Sequence, residues 1–187
     1  MGLFSAIKNK IKFKKELKKS IQEAKKREGR YLEMTAKELA FLSDDELFAA
    51  VMVRTESKVD SFDTWEDGVN ALNPSQKIFY AVNWLDVEVN NGGLCQFFVN
   101  SSRMVAPLVS EYMGMIGAAE HKRLFDDFVS KYGIDLNDLA SFDIEEAAEF
   151  EEQAERYPFD EYDDVFYDME PLEAFLKEFV RERLSDF

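Results

Sequence analysis

The sequence is poor in the residues that build metal clusters and covalent staples. One cysteine, Cys95, and one histidine, His121, occur among 187 residues. A lone cysteine excludes an intramolecular disulfide and a cysteine-rich metal site, and it suits a reducing compartment. The 8 glycines are scattered apart from Gly92-Gly93, so there is no glycine-rich loop to cradle phosphate and no G-x-S-x-G nucleophile elbow. Long apolar runs are missing too. The longest clear one, FAAVMV at 48–53, is far short of the roughly 20 residues that cross a bilayer. The N-terminus has no signal-peptide core, and Ala6 stands where a myristoylation signal needs Ser or Thr. These absences lead us to expect a soluble, cytoplasmic protein.

Positive charge is also short, with 23 Lys/Arg against 38 Asp/Glu and a net charge of −15. Such a body repels nucleic acid and attracts basic partners. The deficit is uneven. Residues 1–30 carry a net +8 and residues 31–187 a net −23, which divides the chain into a basic arm and an acidic domain. In the arm, Phe4, Ile7, Ile11, Leu17 and Ile21 step at helical spacing among lysines, and Gly29 is placed to stop the helix. Three readings of the arm stay open: contact with an anionic membrane surface, contact with nucleic acid, or docking on an acidic body. The thinness of the apolar stripe favours a docked or partly mobile helix.

What is abundant is bulk and helical periodicity. Phenylalanine alone supplies 17 residues, enough to fill a core without metals or disulfides. Thr35–Glu38 and Ser43–Glu46 have capping-box spacing and predict helices near 36–42 and 44–57. Asn73-Pro74 predicts the start of a helix over 74–90, with Ile78, Val82, Leu85 and Val89 on one face. Helices follow near 106–116, at 118–131 before Gly133, at 144–156 from an Asp143–Glu146 box to Pro158, and from Pro171 onward. FVNSS and SFDTW are candidates for brief extended pieces. The expected fold class is all-α, a compact multi-helix bundle with short connections.

The chemistry-bearing residues are sparse outside the carboxylates. The di-metal bundle motif Glu-x-x-His is absent, and DEYDDVFYDMEP at 160–171 lacks the glycine of a calcium loop. No metal and no cofactor are expected. Cys95, between Leu94 and Gln96 and close to Phe97, reads as a small buried apolar residue. His121, in the polar run AEHKR, reads as a surface residue, so no catalytic pair is expected. The acids of the C-terminal part remain. Glu145, Glu149 and Glu152 recur at i, i+4, i+7 with Glu146 and Glu155 beside them, and Asp138, Asp143, Asp160, Glu161, Asp163 and Asp164 surround them. Acids at such spacings lie about 5–6 Å apart at Cβ, comparable to successive phosphates of a nucleic-acid strand. Interleaved aromatics mark the region as packed rather than disordered. These acids are the candidate protein-binding residues, and the expected partner is basic, such as a DNA-binding protein.

The run LDVEVNNGGLCQFFVNSS, residues 85–102, resembles a signature of the bacterial DNA-mimic (DMP-type) protein family. The matching residues are Asn91, Gly92, Gly93, Gln96, Phe97, Phe98 and Asn100, and the resemblance extends over about 77–183. It implies an all-α domain without catalytic residues, and a role in imitating double-stranded DNA at the binding surface of a helix-turn-helix transcription factor. Bottom-up, the same stretch reads as a corner: a helix ends near Asn90, Gly92 and Gly93 take positive φ, and Leu94, Phe97 and Phe98 enter the core. Gln96 and Asn100 then bind the backbone of the corner. The alternative is a small-ligand or enzyme pocket lined by Asn90, Asn91, Gln96 and Asn100.

Overall fold

A computed structural model describes residues 3–187, with side chains from Phe13 onward, Ala147 apart. The side chains of Phe4, Ile7 and Ile11 therefore lie outside the described residues. The described chain forms ten α-helices and no strand: α1 Leu3–Glu33, α2 Ala36–Leu39, α3 Asp44–Val59, α4 Trp65–Ala71, α5 Pro74–Val99, α6 Ala106–Met115, α7 Ala119–Tyr132, α8 Ala147–Arg156, α9 Phe159–Asp168 and α10 Leu172–Glu182. Among the described residues no helix is long and apolar enough to cross a membrane.

The predicted starts hold where a side chain can accept from a free helical N–H. Thr35 closes its box with Glu38, and Asn73 does the same with Gln76 ahead of Pro74. Ser43 Oγ accepts from the Glu46 N–H at 3.3 Å. At the other end of α7, Gly133 takes the left-handed conformation (φ 63°) that closes a helix. Gly29 does not stop α1, which runs on to Glu33. The stop comes only where the Thr35 cap turns the chain into α2. FVNSS is likewise not extended; α5 continues through Val99 and passes into a 3-10 turn over Ser101–Val105.

α5 is the axle of the bundle. It is buried over most of its circumference, with Phe79, Val82, Leu85, Val89, Leu94, Phe97 and Phe98 all at 2% exposure or less, which is the pattern of a helix largely surrounded by others. α3, α6, α9 and α10 pack around it. Phe98 sits in the aromatic centre, its ring 4.9 Å from Phe142, 5.8 Å from Phe128 and 6.1 Å from Phe125. Arg181 of α10 bonds the Leu42 carbonyl and pairs with Asp44, closing the far end of the bundle.

Candidate functional site

The Asn-Gly-Gly stretch breaks α5 in two. Gly93 has φ 79°, which only glycine adopts without strain, whereas Gly92 keeps a negative φ of −163°. Positive φ is thus needed at one glycine and not at both. A break in a helix frees carbonyl and N–H groups from their intrahelical partners, and α9 bonds one of each. Tyr167 Oη donates to the Val89 carbonyl at 2.7 Å, and the Leu94 N–H donates to Asp163 Oδ1 at 2.8 Å. α9 lies so close that a Cβ on Gly93 would stand 2.1 Å from Asp163 Oδ2. Asp163 is consequently buried, at 9% exposure. Its burial raises the carboxyl pKa against the lowering effect of the Leu94 N–H.

A second buried acid, Glu88, ties the broken helix together on the other side. Its Oε2 accepts from Gln96 Nε2 at 2.6 Å and Asn100 Nδ2 at 2.8 Å, and its Oε1 accepts from Ser102 Oγ at 2.7 Å. The signature amides therefore bind a carboxylate, not the backbone of the corner as their position had suggested. A group that only accepts is matched by three donors, which joins the first half of α5 to its second half and to the 3-10 turn. Asn90 turns back onto Asp86, bonding its carboxylate and its carbonyl at 2.8 Å. Burial, and then the field of Glu173, push Asp86 up to about 6. Asn91 and Gly92 are exposed.

The two residues considered for nucleophilic chemistry are both interior. Cys95 is buried at 3%, and burial lifts its thiol to about 11, so it is an inert thiol. His121 is not on the surface; it is 3% exposed, edge-on to Phe166 at 5.0 Å and Phe175 at 6.0 Å. Neither of its ring nitrogens has a hydrogen-bond partner among the described residues, and burial lowers its pKa.

The acidic residues fall into separate groups. α8 starts at Ala147, one turn later than expected, so Glu145 and Glu146 precede the helix. The proposed Glu145–Glu149–Glu152 row is therefore not one helical face. Glu149 Oε2 instead accepts from the N–H groups of Glu145 and Glu146 at 2.5 and 3.2 Å, which lowers its pKa. The Asp143 carboxylate is paired with Arg103, whose guanidinium also bonds the Val99 carbonyl at 3.0 Å. Asp138 is exposed and accepts from the Ala140 N–H. Glu152 and Glu155 are exposed on α8, and Asp160, Glu161 and Asp164 on α9.

α9 itself was not anticipated. Its signals were present: Pro158, two acids in the first turn, and Phe159, Tyr162 and Phe166 at steps of three and four. The dense acids masked that stripe. With the helix in place, Asp160, Asp164 and Asp168 recur at i, i+4, i+8, and all three are exposed. Each step of four rises about 6 Å. One face of α9 thus braces the kink through Asp163, while the other offers a row of carboxylates to solvent.

A family model described as DMP19-like protein matches residues 70–183. The chain belongs to the DMP19-like protein family. No curated protein and no solved structure matches it. The family match spans the kinked α5, both buried acids and all of α6 to α10, and α1 to α3 lie outside it.

Proposed function

We propose that this chain is a non-enzymatic interaction protein that occupies the basic surface of a DNA-binding protein, as a DNA mimic does. Membership of the DMP19-like family supports the reading. The observation that carries it is the exposed row Asp160–Asp164–Asp168, held on a helix whose inner face is locked to the kink of α5. Glu152 and Glu155 on α8 and Glu161 on α9 are exposed as well, whereas Asp163 is spent inside. A mimic must hold its charges at fixed spacing before binding, since disordered carboxylates lose entropy on engagement. Attraction of this kind speeds encounter and is screened by salt.

The test is capture of partners on the immobilised chain at 0.05 and 0.5 M NaCl, followed by elution with duplex DNA. The expected result is a basic, DNA-binding protein that is held at low salt, released by duplex, and not held by the variant D160N/D164N/D168N. Recovery of no such protein at either salt sinks the proposal.

A further inference from the structure

From Phe13 to Arg30 every side chain of α1 is exposed except that of Ala24, which is partly covered, and Tyr31 is the first buried residue. Arg54 fixes that end, bonding the carbonyls of Tyr31 and Met34 at 3.2 and 2.7 Å. The helix is thus held at its base and projects from the body. The stretch from Phe13 to Tyr31 spans about 27 Å at the helical rise. It carries Phe13, Leu17 and Ile21 in one line, at 64, 49 and 48% exposure. Lys14, Lys18 and Lys25 flank that line on one side, Ser20, Arg27, Glu16 and Glu23 on the other, and Lys15, Lys19 and Lys26 lie on the opposite face. Residues 13–30 have a net charge of +5.

We infer that α1 is a membrane-surface helix that lays Phe13, Leu17 and Ile21 into the headgroup region of an anionic bilayer. A line of Phe, Leu and Ile with lysines along one border, on a helix of net positive charge, fits the interfacial pattern, in which long basic side chains bury their stems and keep their ammonium groups among the phosphates. The acidic body does not cancel the attraction. Charges much farther apart than the screening length of about 8 Å at physiological salt hardly interact, and the projecting arm extends several such lengths from its anchor.

The other occupants fit less well. Two α1 helices laid together would bring like charges into contact. A second copy's body offers its exposed large apolar groups from several different elements and loops (Phe41, Phe62, Val87, Met104, Met115, Val165, Tyr167), not as a stripe along one helix. Phosphates of nucleic acid would use the lysines and leave the three apolar side chains in water. The inference is independent of the acidic row on α9.

The experiment is flotation of the 187-residue chain with vesicles of phosphatidylglycerol and phosphatidylcholine, against vesicles of phosphatidylcholine alone. The anionic vesicles should carry the protein at 0.1 M NaCl, the neutral ones should not, and 0.5 M NaCl should release it. F13S/L17S/I21S should lower partition at least tenfold with an unchanged urea midpoint, because these exposed side chains are not part of the hydrophobic core. Absence of flotation on anionic vesicles overturns the inference, as does equal flotation of wild type and variant. Concentration-dependent dimerisation in lipid-free solution that the triple variant abolishes also overturns it, and makes a second copy the occupant.

Discussion

Single residues at the break of α5 are set by different constraints, and neighbouring substitutions separate them. Gly93→Ala forces a non-glycine residue to φ 79° and drives a methyl group against Asp163. The backbone strain alone is worth about 1–3 kcal/mol. At Gly92 φ is negative (−163°), and an added Cβ would stand 2.1 Å from Gln96 Oε1, so that Gln96 must shift and its bond to Glu88 is put at risk. Urea titrations should show G93A at least about 2 kcal/mol below wild type, from backbone strain and the clash with Asp163, and G92A a smaller loss that E88Q reduces further, since it arises only through Gln96 and its bond to Glu88. Equal losses would mean that the glycine pair is needed as a unit. His121 gives the second test at this scale. Burial holds the ring neutral, with Glu120 opposing weakly, so its folded pKa lies below its ordinary value. Such a group contributes stability that is fully present above its unfolded pKa of about 6.5 and is lost as pH falls through the folded value. His121→Phe keeps a ring against Phe166 and Phe175 and removes the titration. Between pH 7.5 and 5 the wild type should lose more stability than H121F, with the gap opening as pH falls below about 6.5. Parallel pH curves for the two proteins would show that His121 does not titrate on unfolding.

At the scale of elements, legibility followed how local the cause was. Thr35–Glu38 and Asn73–Gln76 close boxes within one turn, and both helix starts were readable from spacing. The kink was readable as well, because two glycines interrupt a helical pattern. The partners of the kink were not. Asp163 and Tyr167 reach it from about 70 positions away in the chain, and nothing in a carboxylate's local sequence tells whether it faces water or a broken helix. Glu88 was missed for a related reason: an acid between Val87 and Val89 looks like an exposed position until Gln96, Asn100 and Ser102 are folded over it. That cluster makes its own prediction. In Glu88→Gln the amide oxygen can still accept from Gln96 and Asn100, while its NH2 donates to the Ser102 hydroxyl, which can turn to accept. Only the charge assistance is lost, about 1 kcal/mol. Glu88→Ala strands the donors and opens a void, costing about 3 kcal/mol. Denaturation midpoints should order wild type, E88Q and E88A in that sequence. A loss in E88Q as large as in E88A would mean that the negative charge itself holds the break together.

The whole molecule sets its two ends against each other: a projecting basic helix, and a C-terminal third in which residues 126–187 carry a net charge of −16. Concentrated like charge destabilises a compact state through self-repulsion. On α9 the cost is specific, because Asp160, Asp164 and Asp168 are neighbours along one face, and like charges at i, i+4 cost about 0.2–0.5 kcal/mol per pair. The Arg103–Asp143 and Lys177–Asp45 pairs lie elsewhere. Neutralising the row in D160N/D164N/D168N should therefore leave the fold equally stable or raise its stability by up to about 1 kcal/mol at low salt, and the difference should shrink toward zero by 0.5 M NaCl. Partner capture by the same variant should move the other way and be lost. Opposite responses of stability and binding are the signature of charges placed for recognition, since a solvating surface has no reason to be arranged against its own helix. A variant that gains stability and still captures the partner would place the binding surface somewhere other than α9.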